Sequence, residues 1–268
     1  MNNPKISIIL PVYNLSDYIS EAIKSVLCQS FVDFELIIID DGPSDHVDEV
    51  VGAFEDKRIV YLKNNKNKGL IFSLNRGLSV ARGDFIARID GDDRWIDEKK
   101  IEKQIKFLTN NVDYSLIGTC AIVFNKCKKN LYNITHPIDF ESVKRRMLIK
   151  NCFIHSSVLF SKKAAEECGG YKEEEKYVED YGLWLRMGEK YKICNISDFC
   201  VGYLLSENGA TQKNNLKQIK ANISLIKNHR DEYCNYWLAM IKWYSKFFIV
   251  FFGGLSVINN FKRLLRKA

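Results

Sequence analysis

The sequence predicts an α/β protein: one doubly wound sheet with helices on both faces, followed by a helical tail. Three observations carry this. Through residue 95, short apolar runs alternate with stretches of helical spacing, the pattern that builds a sheet of parallel strands. Two of those runs end abruptly in acids, at Asp40-Asp41-Gly42 and at Asp90-Gly91-Asp92-Asp93. From residue 216 the chain turns helical and basic, then strongly aromatic.

Residues 6–12 form a continuous apolar run closed by Pro11 and followed by Tyr13-Asn14, and read as a first buried strand. Ser16 or Asp17 is placed to cap a helix in which Ile19, Ala22, Ile23, Val26 and Leu27 share one face. Residues 34–39 make a second strand ending in Asp40-Asp41-Gly42, and Asp45 stands where it would cap the next helix. A third strand (58–62), a polar loop (64–68), a helix marked by Leu70, Ile71, Leu74, Leu78 and Ala81, and a fourth strand (85–89) complete the Rossmann-like half. Beyond it come a Lys- and Glu-rich helix over 97–109 whose charges read as a solvated face, and a long strand over 114–124. A basic polar turn over 125–133, a strand over 158–160 and a Gly169-Gly170-Tyr171 turn follow, before the acidic segment Tyr177-Val178-Glu179-Asp180-Tyr181.

Composition narrows the function. A chain of 268 residues holds one large α/β domain or two smaller ones. A formal net charge of +7 suits an anionic substrate or membrane face but is too dispersed for nucleic acid. The opening leads straight into a strand without an apolar leader, so a cytoplasmic location is expected. Eight cysteines without a Cys-x-x-Cys pair read as free thiols.

The acidic strand end at 90–93 carries the chemistry. Three carboxylates in four positions repel one another unless a cation or a ring of donors holds them ionised. A hard divalent cation, Mg²⁺ or Mn²⁺, bridges one or two protein carboxylates to substrate phosphates, so the strand end reads as a metal-diphosphate site. In open sheets of this kind ligands bind outside the carboxyl ends of the strands, and both acidic clusters fall there.

The segments Ser7-Ile8-Ile9-Leu10-Pro11-Val12-Tyr13-Asn14, Asp40-Asp41-Gly42, Ala87-Arg88-Ile89-Asp90-Gly91-Asp92-Asp93 and Glu179-Asp180-Tyr181-Gly182-Leu183-Trp184-Leu185-Arg186 resemble, in order and spacing, the family 2 glycosyltransferases of the GT-A fold. The resemblance implies a mixed sheet and an inverting transfer of one sugar from a nucleotide sugar, expected to be UDP-linked. Pro11, Tyr13, Asn14, Asp40, Asp41, Arg88 and Asp90 would bind the nucleotide. Asp90 and Asp92 match the Asp-x-Asp motif that holds Mn²⁺ or Mg²⁺. Asp180 matches the catalytic base, with Glu179 as the fallback, and His155 and Trp184 are candidates for the acceptor pocket. Pro43 replaces the usual serine after Asp-Asp-Gly, and Tyr203-Leu204-Leu205 lacks the Arg and His of the usual Tyr-Arg-x-His. The Gln-x-x-Arg-Trp motif of processive synthases is absent, which implies a single addition.

The expected organisation is a catalytic domain over 1–210, nucleotide-binding in 1–95 and acceptor-binding in 96–210, with a tail over 211–268. The uncharged window 247–261 is short of the roughly 20 residues a spanning helix needs. An in-plane helix is expected, its Trp and Phe in the interface and Lys262, Arg263, Arg266 and Lys267 toward anionic headgroups. The competing arrangements pack the helix on the domain or on a second subunit, or tilt residues 237–258 across the membrane with snorkelling lysines. A membrane-surface enzyme at the inner face of the cell membrane would meet a lipid-linked glycan acceptor in surface-polysaccharide assembly, and the tail leaves room for a homo-oligomer. Two other functions compete: a catalytically silent nucleotide-binding or scaffold protein on the same fold, and a nucleotidyltransferase. The latter would want a Gly-rich basic phosphate loop after the first strand, where Pro11-Val12-Tyr13-Asn14 stands.

Overall fold

The structure is a computed structural model that describes residues 3–42, 46–127, 129–205 and 215–265. Its centre is one nine-stranded sheet. The first four strands, β1 (Ile6–Val12), β2 (Phe34–Asp40), β3 (Ile59–Lys63) and β4 (Phe85–Arg88), are parallel in the order β3-β2-β1-β4. Helices α1 (Ser16–Leu27), α2 (Val47–Gly52) and α3 (Leu70–Val80) connect them. Period-two alternation assigns each strand residue to a face. Ile6, Ile8, Leu10, Leu36 and Ile38 join the core that also contains Ile19, Ile23 and Val26 of α1. Ile9, Ile37 and Ile39 join the opposite core with Ile71, Leu74 and Leu78 of α3.

Beyond β4 the sheet becomes mixed. The short β5 (Arg94–Trp95), helix α4 (Lys100–Asn110), β6 (Tyr114–Phe124) and β7 (Asn130–Ile134) are followed by α5 (Phe140–Arg146). Then come β8 (Leu159–Ser161), α6 (Lys162–Glu167), α7 (Glu179–Lys190) and β9 (Lys192–Leu204). β8 lies between β4 and β6 and runs antiparallel to both, while β9 pairs parallel to β6 and antiparallel to β5. Because β8 opposes β4, with Ala87 across from Leu159, the residues just before β8 come to lie beside the carboxyl end of β4. That reversal brings the two halves of the site together.

Several expectations from the sequence change here. Leu15, not Ser16 or Asp17, takes the N-cap position of α1, with no side-chain cap. The expected caps and loop effects at Asp45 and Pro43 lie outside the described residues. Residues 125–133 are not only a turn, because Asn130–Ile134 pairs antiparallel with the end of β6 as a hairpin. The charges of α4 are not all solvated: Lys100 is fully buried, its Nζ donating to Gln104 Oε1 at 2.8 Å and lying 4.0 Å from the centre of the Trp95 ring.

The tail contains α8 (Asn215–Asn228) and the 30-residue α9 (Tyr236–Leu265). Ala239, Met240 and Val250 are buried and Trp243 and Phe247 partly so, packed on the core that contains α3 and α7. The other side of α9 is bare: Trp237 is 76% exposed, Ile241 65% and Phe252 76%. Among the described residues no helix is long and apolar enough to cross a membrane.

Candidate active site

The carboxyl ends of β1, β2 and β4 form one edge, since Val12 pairs with Asp40 and Ile9 with Arg88 in register. After β1 the chain bends at Asn14, whose φ of 53° is left-handed. Tyr13, half exposed, lies against Gly42: a Cβ added there would fall 2.9 Å from its ring, so only glycine admits this approach of the two loops. Asp40 is buried and accepts from Tyr61 Oη at 2.6 Å and Gly42 N at 3.0 Å. Asp41 is more occupied still. One oxygen accepts from Asn64 Nδ2 (2.6 Å) and Lys68 N (2.8 Å), the other from Gly69 N (2.7 Å), so its carboxylate fastens the loop that begins α3.

At the end of β4 the acids separate by environment. Asp90 forms an ion pair with the buried Arg88 (2.5 Å) and accepts from Ser156 Oγ at 3.2 Å. Burial opposes its ionisation, but the Arg88 charge wins and holds the carboxyl below its usual range. Asp93 turns inward, accepting from Leu204 N at 3.0 Å and from Ser156 Oγ, and burial beside Asp90 and Asp92 pushes it well up. Asp92 receives no hydrogen bond from another residue among those described, and burial with the Asp90 charge raises it to about 6. Ser156 Oγ also accepts from Asp90 N at 3.0 Å, and its carbonyl accepts from Trp95 Nε1 at 2.9 Å. The 155–157 turn is therefore the clamp on this acidic end.

Across the turn lies the second acidic group. Asp180 and Glu179 open α7, where unpaired amides favour negative charge. Asn151 Nδ2 donates to Asp180 Oδ2 at 2.9 Å. Burial nevertheless raises Asp180, and burial with the Asp180 charge raises Glu179 to about 7. Arg88 is the counter-charge that favours the ionised form of Asp90, Asp180 and Glu179 alike. Its Nε and Nη2 are buried without a hydrogen-bond partner, so two donors stand ready near three carboxylates. Tyr177, two residues before α7, has φ 78°, a strained conformation at the mouth of this group.

His155 donates or accepts with Tyr171 Oη at 3.0 Å, and burial with the Arg88 charge holds its ring neutral. Trp184 is fully buried, its ring against Phe153, Phe160 and His155. It stands behind His155, so an acceptor would meet His155 before it. Reading the sequence missed Ser156 and Asn151, the donors that hold Asp90, Asp93 and Asp180. It also missed the buried Glu175–Arg186 pair, in which Arg186 Nε donates to Cys168 O at 2.8 Å and Nη2 to Gly170 O at 2.5 Å, fixing the glycine turn to α7. Polar residues inside an apolar run (Ser156-Ser157 before β8, Arg186 within α7) were the available signal.

Among the described residues no three His, Cys, Asp or Glu side chains are grouped as a ready-made metal cage. The donor set still suits Mg²⁺ or Mn²⁺, which are held by one or two carboxylates plus substrate phosphates. Asp92 offers a carboxylate that no other residue occupies, and its raised pKa marks a position that a cation would ionise.

A mixed sheet with acids along the carboxyl edge of its parallel half, and a second acidic pair brought over it by an antiparallel strand, is the architecture of a GT-A glycosyltransferase. The chain superimposes on S. aureus TarS 1–349 in complex with UDP-GlcNAc with a TM-score of 0.69 at 17% identity, covering 91% of this chain and 72% of that one. It also superimposes on the mannosyltransferase PcManGT of Pyrobaculum calidifontis, solved with GDP-Man and Mn²⁺, with a TM-score of 0.67 at 14% identity over 98% and 81% of the two chains. In sequence it is 33% identical over 223 residues to WfgD of Escherichia coli, a UDP-Glc:alpha-D-GlcNAc-diphosphoundecaprenol beta-1,3-glucosyltransferase, covering 82% of this chain and 84% of that protein. Residues 7–169 match the model of glycosyl transferase family 2, and the chain belongs to that family.

Proposed function

We propose that this glycosyltransferase moves one hexosyl unit from a UDP-sugar to a hydroxyl of a lipid-linked glycan, with inversion, at the inner face of the cell membrane. The observation that carries the reading is that Asp92, bonded by no other described residue, and Asp180, with Asn151 as its one side-chain donor, both feel the Arg88 charge. The donor's base rests on the surface that Tyr13 and the Gly42 loop form together, with Asp40 behind it. Asp90 and Asp92 would hold Mn²⁺ or Mg²⁺, which would supply charge neutralisation for the leaving diphosphate. Arg88, buried behind Asp90, is the protein's own counter-charge there. Asp180 takes the proton of the acceptor hydroxyl as its oxygen bonds the anomeric carbon and the bond to the diphosphate breaks, which inverts that carbon. His155, with Trp184 behind it, stands on the acceptor side. The single-addition character and the catalytic region ending near residue 210 belong to the same reading, as does membrane contact through the tail. The lipid-linked acceptor is suggested by the substrate in the name of WfgD.

The test is UDP release by the full chain against a panel of nucleotide sugars, with a sugar-diphospholipid acceptor and Mn²⁺. Acceptor-dependent release from one UDP-sugar, abolished by EDTA and by Asp92→Asn, is the expected result. Release that ignores the acceptor, or a donor preference outside the UDP series, would overturn it.

A further inference from the structure

A cleft of about 610 Å³ runs between residues 135–149 and the start of α9, lined among others by His136, Ser142, Arg145, Arg146, Ile149 and Asn235. None of the residues assigned above to donor, metal or base lines it. It is nonetheless joined to the base. Asn195 Nδ2 donates to Pro137 O at 2.8 Å and to Cys152 O at 3.2 Å, and the neighbour of Cys152, Asn151, holds Asp180.

Positive charge gathers at the cleft, where Arg145 and Arg146 line it with Lys150 and Lys242 close by, and Asp139 is the lining acid that meets it, through Arg145. Arg145, Arg146, Lys150 and Lys242 have no ion-pair partner among the described residues. Arg146, Lys150 and Lys242 converge closely enough to act together on the Cys152 thiol. Lys242 is itself held below its usual value by burial and by Lys150, and His136 is pushed down to about 4 by burial and the same charge. The acid on the rim, Asp139, is spent capping α5 through Ser142 N at 2.8 Å. Cations in the last turn of α5 suit its dipole, but the dipole gives no reason for Lys150 and Lys242 to be drawn in beside them. Like charges so placed are relieved by a bound anion, and paired guanidinium groups favour phosphate oxygens.

What adjoins the cleft is apolar. Asn235 Nδ2 donates to Arg145 O at 2.8 Å and Lys242 Nζ to Ile149 O at 2.7 Å, fastening the first two turns of α9 along the cleft. From those turns Trp237, Leu238 and Ile241 stand bare, and Phe248, Phe251 and Phe252 continue the exposed surface. An anion site continuous with a lipid-facing helix fits a ligand that is anionic at one end and apolar at the other.

We propose that this cleft seats the diphosphate of the membrane-anchored acceptor lipid, gripped by Arg145 and Arg146, while the bare face of α9 lies against the lipid chain. The inference deepens the reading above and rests on its lipid-linked acceptor. The test is a binding measurement that needs no catalysis. Farnesyl diphosphate and farnesol are titrated by calorimetry into the full chain, in EDTA and without nucleotide so that the metal site is silent. Farnesyl diphosphate should bind about tenfold or more tighter than farnesol, as charge-assisted contacts require. Arg145→Gln with Arg146→Gln, both exposed and so compatible with the fold, should erase that preference and leave farnesol binding unchanged; Lys150→Gln should weaken it partially. Equal binding of the two ligands, or a preference that survives the double substitution, overturns the proposal. So does equal binding to vesicles of phosphatidylcholine with phosphatidylglycerol and to phosphatidylcholine vesicles carrying farnesyl diphosphate, since the surface would then read bulk charge. A wild-type chain that prefers farnesyl diphosphate but transfers no sugar sinks the transferase reading alone, whereas transfer without the preference sinks the cleft alone.

Discussion

The two acidic regions of the site use the same side chain to opposite ends. At the end of β2, Asp40 and Asp41 are saturated: between them they accept five hydrogen bonds from loop amides, Tyr61 and Asn64. At the start of α7, Asp180 has one side-chain donor, Asn151, and the Tyr181 amide, and Glu179 has backbone amides without another described side chain; burial raises both despite these donors. Donors spread over both oxygens make a carboxylate a structural tie, whereas burial that outweighs its donors leaves one poised to take a proton. The sharpest way to break this contrast is to neutralise one member of each group. Asp180→Asn should lower kcat by about 10²–10⁴-fold, the usual contribution of a general base, with the melting temperature unchanged. Asp41→Asn should instead lower stability by about 1–3 kcal/mol, because donors at Lys68 and Gly69 lose their charged acceptor. Calorimetric melting and steady-state rates on both variants decide it. A stable Asp41→Asn enzyme with a catalytic defect would collapse the distinction.

The contrast also explains what the sequence disclosed. The parallel half was legible because continuous apolar runs and helical spacing are local, and because acids at the ends of parallel strands share an edge wherever the strands pair. Asp40, Asp41, Asp90 and Asp92 could therefore be placed on one edge without coordinates. The second half depends on β8 running against β4, a long-range choice that no residue in 151–161 announces. Ser156 therefore looked like an unremarkable polar residue before a strand, yet it bonds both Asp90 and Asp93 across 66 and 63 positions of sequence. The burial of Trp184 was hidden for the same reason, since which face of α7 meets the sheet is also a long-range choice.

Ser156 gives the next test, since it ties the acids at the end of β4 to the turn before β8. Ser156→Ala removes the hydroxyl that Asp90 and Asp93 share, leaving two close carboxyls with one donor fewer. Apparent Mn²⁺ affinity should fall about tenfold, as when a group orienting a metal ligand is lost, while kcat at saturating Mn²⁺ stays near wild type. Activity measured against Mn²⁺ concentration reads this directly. An unchanged midpoint would mean that the clamp serves packing alone.

A smaller effect should separate Glu179 from Asp180. Glu179, raised to about 7 by burial and by the Asp180 charge, is still protonated and neutral when Asp180 ionises. Glu179→Gln should therefore leave the acid limb of the kcat profile in place, with the plateau rate kept. Stability does respond. A carboxyl whose folded pKa lies above its unfolded value of 4.5 favours the native state at low pH and loses that contribution as pH rises toward 7. The variant should show a flatter stability profile across that window. Loss of the plateau in Glu179→Gln, matching Asp180→Asn, would transfer the role of base to Glu179.

The smallest expected change lies farthest from the reacting atoms. Lys100 is the buried counterpart of Arg88: a cation inside the fold, but facing Trp95 and Gln104 with no carboxylate bonded to its Nζ. Burial lowers it to about 7, so between pH 7 and its ordinary 10.5 the unfolded chain binds the extra proton and stability rises with pH. Below pH 7 the native state carries the charge in an apolar setting, which is the costly condition. Lys100→Met keeps the length and removes the charge. It should raise the melting temperature at pH 6 by about 2–4 °C, the shift that roughly 1 kcal/mol produces in a domain of this size, and change it little at pH 9. Gln104 remains anchored in the variant through Ile117 O at 2.9 Å and Ser157 O at 2.8 Å, so the 155–157 turn, and with it the metal affinity, should be unaffected. A drop in Mn²⁺ affinity in Lys100→Met would show instead that the buried charge reaches the acidic end of β4 through Trp95 and Ser156, which would make it part of the site and not of its scaffold.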